Sequence, residues 1–209
     1  MRRGLFITLE GGEGAGKSTQ IKKLRAWLEA EGHSLVQTRE PGGTPAGEAL
    51  RECFIAHQGQ DWPIPAQLLF MFTGRALHVE QVIRPAIESG QIVICDRFTD
   101  STRAYQGYAL GHDLNEIEQI RQIAIGDFEP DLTFIFDIDP REGLKRTGRR
   151  QGRGDTFENH DLAFHDRLRQ GFLEIALKNP GRCVKLDATQ PIDTVTEQVR
   201  KTVASRLEE

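Results

Sequence analysis

Short apolar runs alternate with amphipathic stretches along most of this chain. Leu5 to Leu9, Leu35 to Thr38, Ile92 to Cys95, Leu132 to Phe136 and Cys183 to Leu186 are brief and β-prone, the pattern of buried strands. Between them the apolar residues recur at helical spacing. Ile21, Leu24 and Leu28 share one face of a helix that opens near Ser18 and stops at Gly32. The same spacing predicts helices over about 46–56, 66–88, 101–108, 114–127, from 140, 161–177 and 192–207. Strands that alternate with helices imply a parallel sheet covered on both faces, because parallel neighbours need crossover connections. At 209 residues the whole chain, 1–209, fits one α/β domain with room for a small mobile insertion.

Charge and cysteine usage narrow the class. A net charge of −4 argues against a dedicated nucleic-acid binder, whose phosphate contacts leave a domain basic. Any anion site is therefore local. Cys53, Cys95 and Cys183 are widely spaced and lack CxxC pairing, which fits neither a disulfide framework nor a zinc site. Met1-Arg2-Arg3 looks like the start of a signal peptide, but Glu10 interrupts the apolar stretch behind it. No run approaches the ~18 apolar residues of a membrane helix. The expectation is a cytoplasmic protein with no membrane partner.

The chemistry begins between the first strand and the first helix. Gly11-Gly12-Glu13-Gly14-Ala15-Gly16-Lys17-Ser18 fits G-x-x-x-x-G-K-[ST] in the strand-then-helix context that the motif requires. Glycines let backbone N–H groups curl around an anion, and the helix N-terminus adds its positive end. Residues 11–19, with Thr19 closing the set, are the expected ATP cradle. Lys17 would reach the β- and γ-phosphates, and the Ser18 hydroxyl would ligate Mg²⁺. A glycine-rich turn that binds nothing is the alternative.

What accepts the phosphoryl group has to be read elsewhere. The Asn-Lys-x-Asp of a GTP switch does not occur, and the strand from Ile92 ends in Asp96-Arg97 rather than an acidic pair. An arginine there suggests a second anion beside the first. Arg39-Glu40-Pro41-Gly42-Gly43-Thr44 follows the second strand, at the carboxyl edge where open α/β sheets bind ligands. Arg51 lies on the next helix. Phe72 and Arg75, three apart on the long helix, share a side and could offer a ring to stack on a base and a fork to hydrogen-bond it. Asp96 to Gly107 supplies a further polar cluster. Against these roles stand duller ones: Phe72 and Tyr105 as core, and Arg51, Arg75 and Arg97 as structural ion-pair partners.

"TREPGGT", "DR" followed by "AYQG", and the late "DATQP" together make the chain resemble the thymidylate kinase family from Leu5 to Thr202, most closely its bacterial members. The resemblance implies a five-stranded P-loop nucleoside monophosphate kinase fold, a homodimer, and transfer of the ATP γ-phosphoryl to dTMP. It implies that Arg97 grips the dTMP phosphate with help from Arg51, that Arg75 bonds the thymine carbonyl, and that an aromatic stacks on the ring. The family's phenylalanine four residues before that arginine is Met71 here, and Phe72 is the residue preferred in its place over Phe70, which at five before Arg75 lies well round the helix. Glu13 matches a position near the acceptor's 3′-hydroxyl, Thr102 and Gln106 positions near the base, and Tyr105 one that crowds C2′. Asp96 is expected to organise Mg²⁺ through water. The "DATQP" loop matches one that cups adenine.

The segment from Lys145 to Arg153 carries five cations in nine residues and cannot pack as core. A solvated charge run is one reading. The other is a lid, at about 145–158, that brings arginines onto the transferring phosphoryl. Because the phosphate loop has no arginine, the family pattern assigns that task to the lid, to Arg149 and Arg153 first and to Arg146 and Arg150 behind them. Another small-molecule P-loop kinase and a slow ATP-hydrolysing switch remain as rival functions.

Overall fold

The structure is a computed structural model that describes residues 3–148 and 161–208. Its strands are β1 (Phe6–Gly11), β2 (Leu35–Arg39), β3 (Ile92–Asp96), β4 (Leu132–Asp137) and β5 (Cys183–Asp187), each within two residues of its predicted bounds. They form one parallel sheet in the order β2-β3-β1-β4-β5. β1 is central and wholly buried, so side chains on both its faces are committed to packing.

Alternation along β1 sorts the core. Ile7 and Leu9 join Leu24 and Leu28 of α1 (Lys17–Ala30) and Val195, Val199 and Val203 of α9 (Ile192–Glu208). Phe6 points the other way, toward Val79, Ile83 and Phe98. α2 (Pro45–Ala56) starts with Thr44 as its cap, whose hydroxyl accepts from Gly47 N–H at 2.9 Å. α4 (Arg84–Glu88) packs on β3, α3 (Ile64–His78) packs between α2 and α6 (Leu114–Ile125), and α8 (Leu162–Lys178) packs over β4 and β5.

Two expected helices are not uniform. The run predicted over 66–88 passes through a wide π turn at Val79–Ile83 between α3 and α4. The one predicted over 101–108 is the short α5 (Thr99–Thr102) followed by a π turn at Arg103–Ala109. Such turns absorb an extra residue without ending a helix, which a fixed 3.6 spacing cannot register. α7 (Pro140–Gly148) contains the first four residues of the expected lid. The rest of that segment, with Arg149, Arg150 and Arg153, lies outside the described residues.

Candidate active site

β1 runs two residues beyond the end of β3, Leu9 lying opposite Asp96 and Gly11 opposite Phe136 of β4, so the loop that follows Gly11 starts past β3, on the side of Arg97. The backbone N–H of Arg97 donates to Leu9 O at 3.1 Å and fixes that neighbourhood. The loop turns into α1 at Gly16, whose φ of 90° is left-handed and suits glycine. No side chain caps α1 there, and the N–H groups of Thr19 and Gln20 both donate to Gly16 O, each at 3.1 Å. Lys17 Nζ donates to Gly11 O at 2.9 Å and to Gly12 O at 3.0 Å, folded over the loop it serves. Ser18 is exposed, Thr19 lies in the first helical turn, and the Ala15 methyl is part of the core.

Beside the loop lies a cleft of about 890 Å³, open to solvent and mainly apolar. Leu50, Phe54, Phe70 and Met71 make its greasy wall, while Glu13, Arg51, Arg75, Arg97, Thr102 and Tyr105 bring polar atoms into it. At the loop end, Arg97 Nη2 donates to Glu13 Oε1 at 2.8 Å, Tyr105 Oη donates to the same oxygen at 3.2 Å, and the Arg97 guanidinium sits 5.1 Å from the Tyr105 ring centroid. At the far end, Arg75 Nε donates to Glu40 Oε2 at 2.7 Å, Nη1 to Thr102 Oγ1 at 3.0 Å and Nη2 to Phe98 O at 3.2 Å. Arg51 Nη1 donates to Pro41 O at 3.3 Å across the mouth.

Charge is balanced locally. Burial raises the Glu13 carboxyl, but Arg97 and Lys17 outweigh it and hold Glu13 below its ordinary range. Burial and the nearby Arg97 lower the Lys17 ammonium, against the pull of Glu13 and Asp96. Arg97 adopts φ 71°, a left-handed conformation that costs a non-glycine residue energy and recurs at binding sites.

A loop shaped for phosphates thus adjoins an apolar cleft with one arginine at each end. Comparison with known proteins points the same way. The family model for thymidylate kinase matches residues 9–199. The chain belongs to the thymidylate kinase family. It is 47% identical over 205 residues to the thymidylate kinase of Magnetococcus marinus, covering 98% of each chain, and 45% identical over 207 residues to that of Caulobacter vibrioides, covering 99% of each. The crystal structure of thymidylate kinase from Ehrlichia chaffeensis superposes with a TM-score of 0.77 at 37% identity, covering 97% of this chain and 99% of that one.

Of the residues that the family resemblance singled out, Glu13, Arg51, Arg75, Arg97, Thr102 and Tyr105 line one cleft. Phe72 does not, and its assignment to the base is corrected: it is 2% exposed, packed among Leu68 and Ile117. Phe72 does meet Arg75, whose guanidinium carbon is 4.7 Å from its ring centroid, but it backs the arginine from the core side. The ring and thioether on the cleft side belong to Phe70 and Met71. Gln106 is also set back from the cleft wall, its amide donating to Gln67 Oε1 at 3.0 Å.

Two acidic residues carry weight that the sequence did not reveal. Glu10 is fully buried, accepting from Phe98 N–H at 2.7 Å and from the Ser101 hydroxyl at 2.6 Å. Burial, reinforced by Asp100, pushes its carboxyl up to about 7. Glu40 shares its carboxylate between Arg75 and His78. Glu40 falls within the TREPGGT stretch already singled out, though not its pairing with Arg75 and His78, whereas nothing local distinguishes Glu10 from an ordinary strand glutamate.

The metal expectation rests on Ser18 and Asp96. Asp96 Oδ1 is buried and has no hydrogen-bond partner among the described residues, while the Ser18 hydroxyl stands exposed at the head of α1. Two hard oxygens beside a phosphate loop suit Mg²⁺, which takes few protein ligands and completes its shell with water and phosphate oxygens. The residues present fit that ion.

Proposed function

We propose that this enzyme transfers the ATP γ-phosphoryl group to dTMP, giving ADP and dTDP, with the site residues in the roles that follow. ATP phosphates lie on Gly11–Thr19, where Lys17 exchanges the loop's own carbonyls for the charged β- and γ-oxygens. Ser18, and Asp96 through water, would hold Mg²⁺, which when bound would supply positive charge to the phosphates. Arg97, with Arg51, holds the acceptor phosphate beside the loop. Because a phosphate oxygen is already a nucleophile, the protein supplies position and charge and needs no general base.

The acceptor's base enters the apolar part of the cleft. There Phe70 and Met71 offer a stacking surface in place of Phe72, and Arg75 and Thr102 offer polar atoms. The Tyr105 ring, held by its bond to Glu13, walls the sugar end and disfavours a ribose hydroxyl. The observation that carries this reading is the single cleft running from Arg97 at the phosphate loop to Arg75.

Several coarser features complete the proposal. The chain acts as one domain with a lid at about 145–158, whose arginines approach the transferring phosphoryl. It works in the cytoplasm, in dTTP biosynthesis, without a nucleic-acid or membrane partner; no helix among the described residues is long and apolar enough to cross a bilayer. It works as a homodimer, a reading supported by exposed apolar side chains on neighbouring helices, Ile55 on α2, Leu69 on α3 and Ile123 on α6.

ADP release from ATP-Mg²⁺ with dTMP, dUMP, UMP, CMP, GMP or AMP, beside a no-acceptor blank, tests the assignment. Fast turnover with dTMP and little with ribonucleotides is expected. A blank-level rate with all six sinks it.

A further inference from the structure

Thr38 near the end of β2, with Glu40 and Gly43 of the stretch after it, converges on one side chain that no ligand role requires. His78 of α3 is fully buried, with Nε2 2.7 Å from Thr38 Oγ1 and Nδ1 3.0 Å from Glu40 Oε1. The other oxygen of Glu40 accepts from Arg75 Nε at 2.7 Å. Gly43 is pressed against the ring: a Cβ there would sit 2.4 Å from His78 Nε2 and 2.8 Å from Thr38 Oγ1. Nothing larger than glycine fits beside this line of side chains.

We propose that His78 is a positioning residue for nucleobase recognition: the line Thr38–His78–Glu40 fixes the plane of the Arg75 guanidinium and so aims its remaining N–H groups into the cleft. The inference rests on the reading that Arg75 meets the base carbonyl. A carboxylate held by one oxygen can still turn about its last bond, whereas Glu40, held on both oxygens, presents a fixed acceptor to Arg75. Hydrogen-bond roles follow from that geometry. Nδ1–H donates to the carboxylate, leaving Nε2 to accept from the Thr38 hydroxyl.

Arg75 has five N–H donors and uses one on each of its three nitrogens for Glu40, Thr102 and Phe98. Among the described residues, one N–H on each terminal nitrogen is left for a ligand. The Glu40 carboxylate also neutralises a guanidinium that is only 4% exposed, as a buried charge requires. A base that offers a carbonyl oxygen satisfies such a donor. A base that places an amine at that edge, as cytosine does at C4 where thymine has a carbonyl, leaves it unpaired, and sites built on hydrogen bonds discriminate strongly on that ground.

The test uses Thr38→Val, His78→Ala and His78→Asn, with Arg75→Ala as reference, and measures kcat, the KM for dTMP, dCMP and ATP, and the melting temperature. Thr38→Val and His78→Ala should raise the dTMP KM roughly three- to tenfold, the scale of one hydrogen bond, with ATP KM unchanged and preference for dTMP over dCMP reduced. His78→Asn keeps a donor toward Glu40 and should recover part of the loss. If Arg75→Ala raises the dTMP KM while folded Thr38→Val leaves both KM and preference at wild-type values, the positioning role is overturned and the base reading stands. Lower stability and kcat with unchanged preference would likewise make His78 structural only. Should Arg75→Ala itself leave KM and preference untouched, the base reading fails first.

Discussion

Glu10 shows how much one buried proton can matter. Its carboxyl titrates near 7 in the folded chain and near 4.5 when exposed, so between those values the folded state holds a proton that the unfolded chain has released. The contribution of this group is therefore complete below about pH 4.5 and is lost as pH rises through about 7. Glutamine mimics the protonated acid, accepting from Phe98 N–H and donating to Ser101. Urea unfolding from about pH 5.5 to 8.5 should show the wild type losing on the order of 2 kcal/mol more stability than Glu10→Gln. Parallel curves would place the titration elsewhere. The phosphate loop was readable from the sequence because its chemistry is local: glycines, a lysine and a hydroxyl at fixed offsets. Phe72 was misread because spacing says which side chains are neighbours on a helix, not which way they face. That choice falls to Ile117 of α6, packed on Phe72, and to Phe54 of α2, whose ring lies 5.8 Å from that of Phe70.

Among elements, a close backbone contact joins the phosphate loop to α7. A Cβ on Gly14 would sit 2.1 Å from Gly143 O, and one on Gly143 would sit 2.3 Å from Glu13 O. Both obstacles are backbone, so neither can swing aside. Gly143→Ala should push α7 from the loop and lower kcat at least tenfold, an effect comparable to small misplacements of reacting groups, while the dTMP KM changes little. Initial-rate kinetics against both substrates would show it, and a wild-type kcat would refute the coupling. Strand positions were legible almost to the residue because each is a short apolar run beside a glycine or charged break. The π turn at Arg103–Ala109 was not, although it carries Tyr105 into the cleft, since one extra residue leaves the surrounding periodicity nearly intact.

At the scale of the molecule, parallel strands bring every carboxyl end to one rim, so the donor loop, the acceptor cleft and the stem of the proposed lid share an edge. The described residues place only Arg51, Arg75 and Arg97 in the cleft among arginines, and Arg97 is already engaged with Glu13. Arg149→Ala or Arg153→Ala should then lower kcat by roughly 10³-fold, the scale of arginine-finger effects, with smaller changes in KM. If each of the lid arginines can be replaced singly for less than about a tenfold loss in stopped-flow or steady-state rates, the lid plays no part in the chemistry.

The left-handed backbone of Arg97 decides how its deletion ought to be read. Alanine at that place removes the guanidinium but keeps a Cβ that resists φ 71°, so the junction relaxes and carries with it Phe98 and Ser101, the two donors that hold Glu10. Glycine removes the same charge and accepts the same turn. Of the two, glycine is the cleaner subtraction, and the gap between the two variants weighs the backbone apart from the phosphate grip.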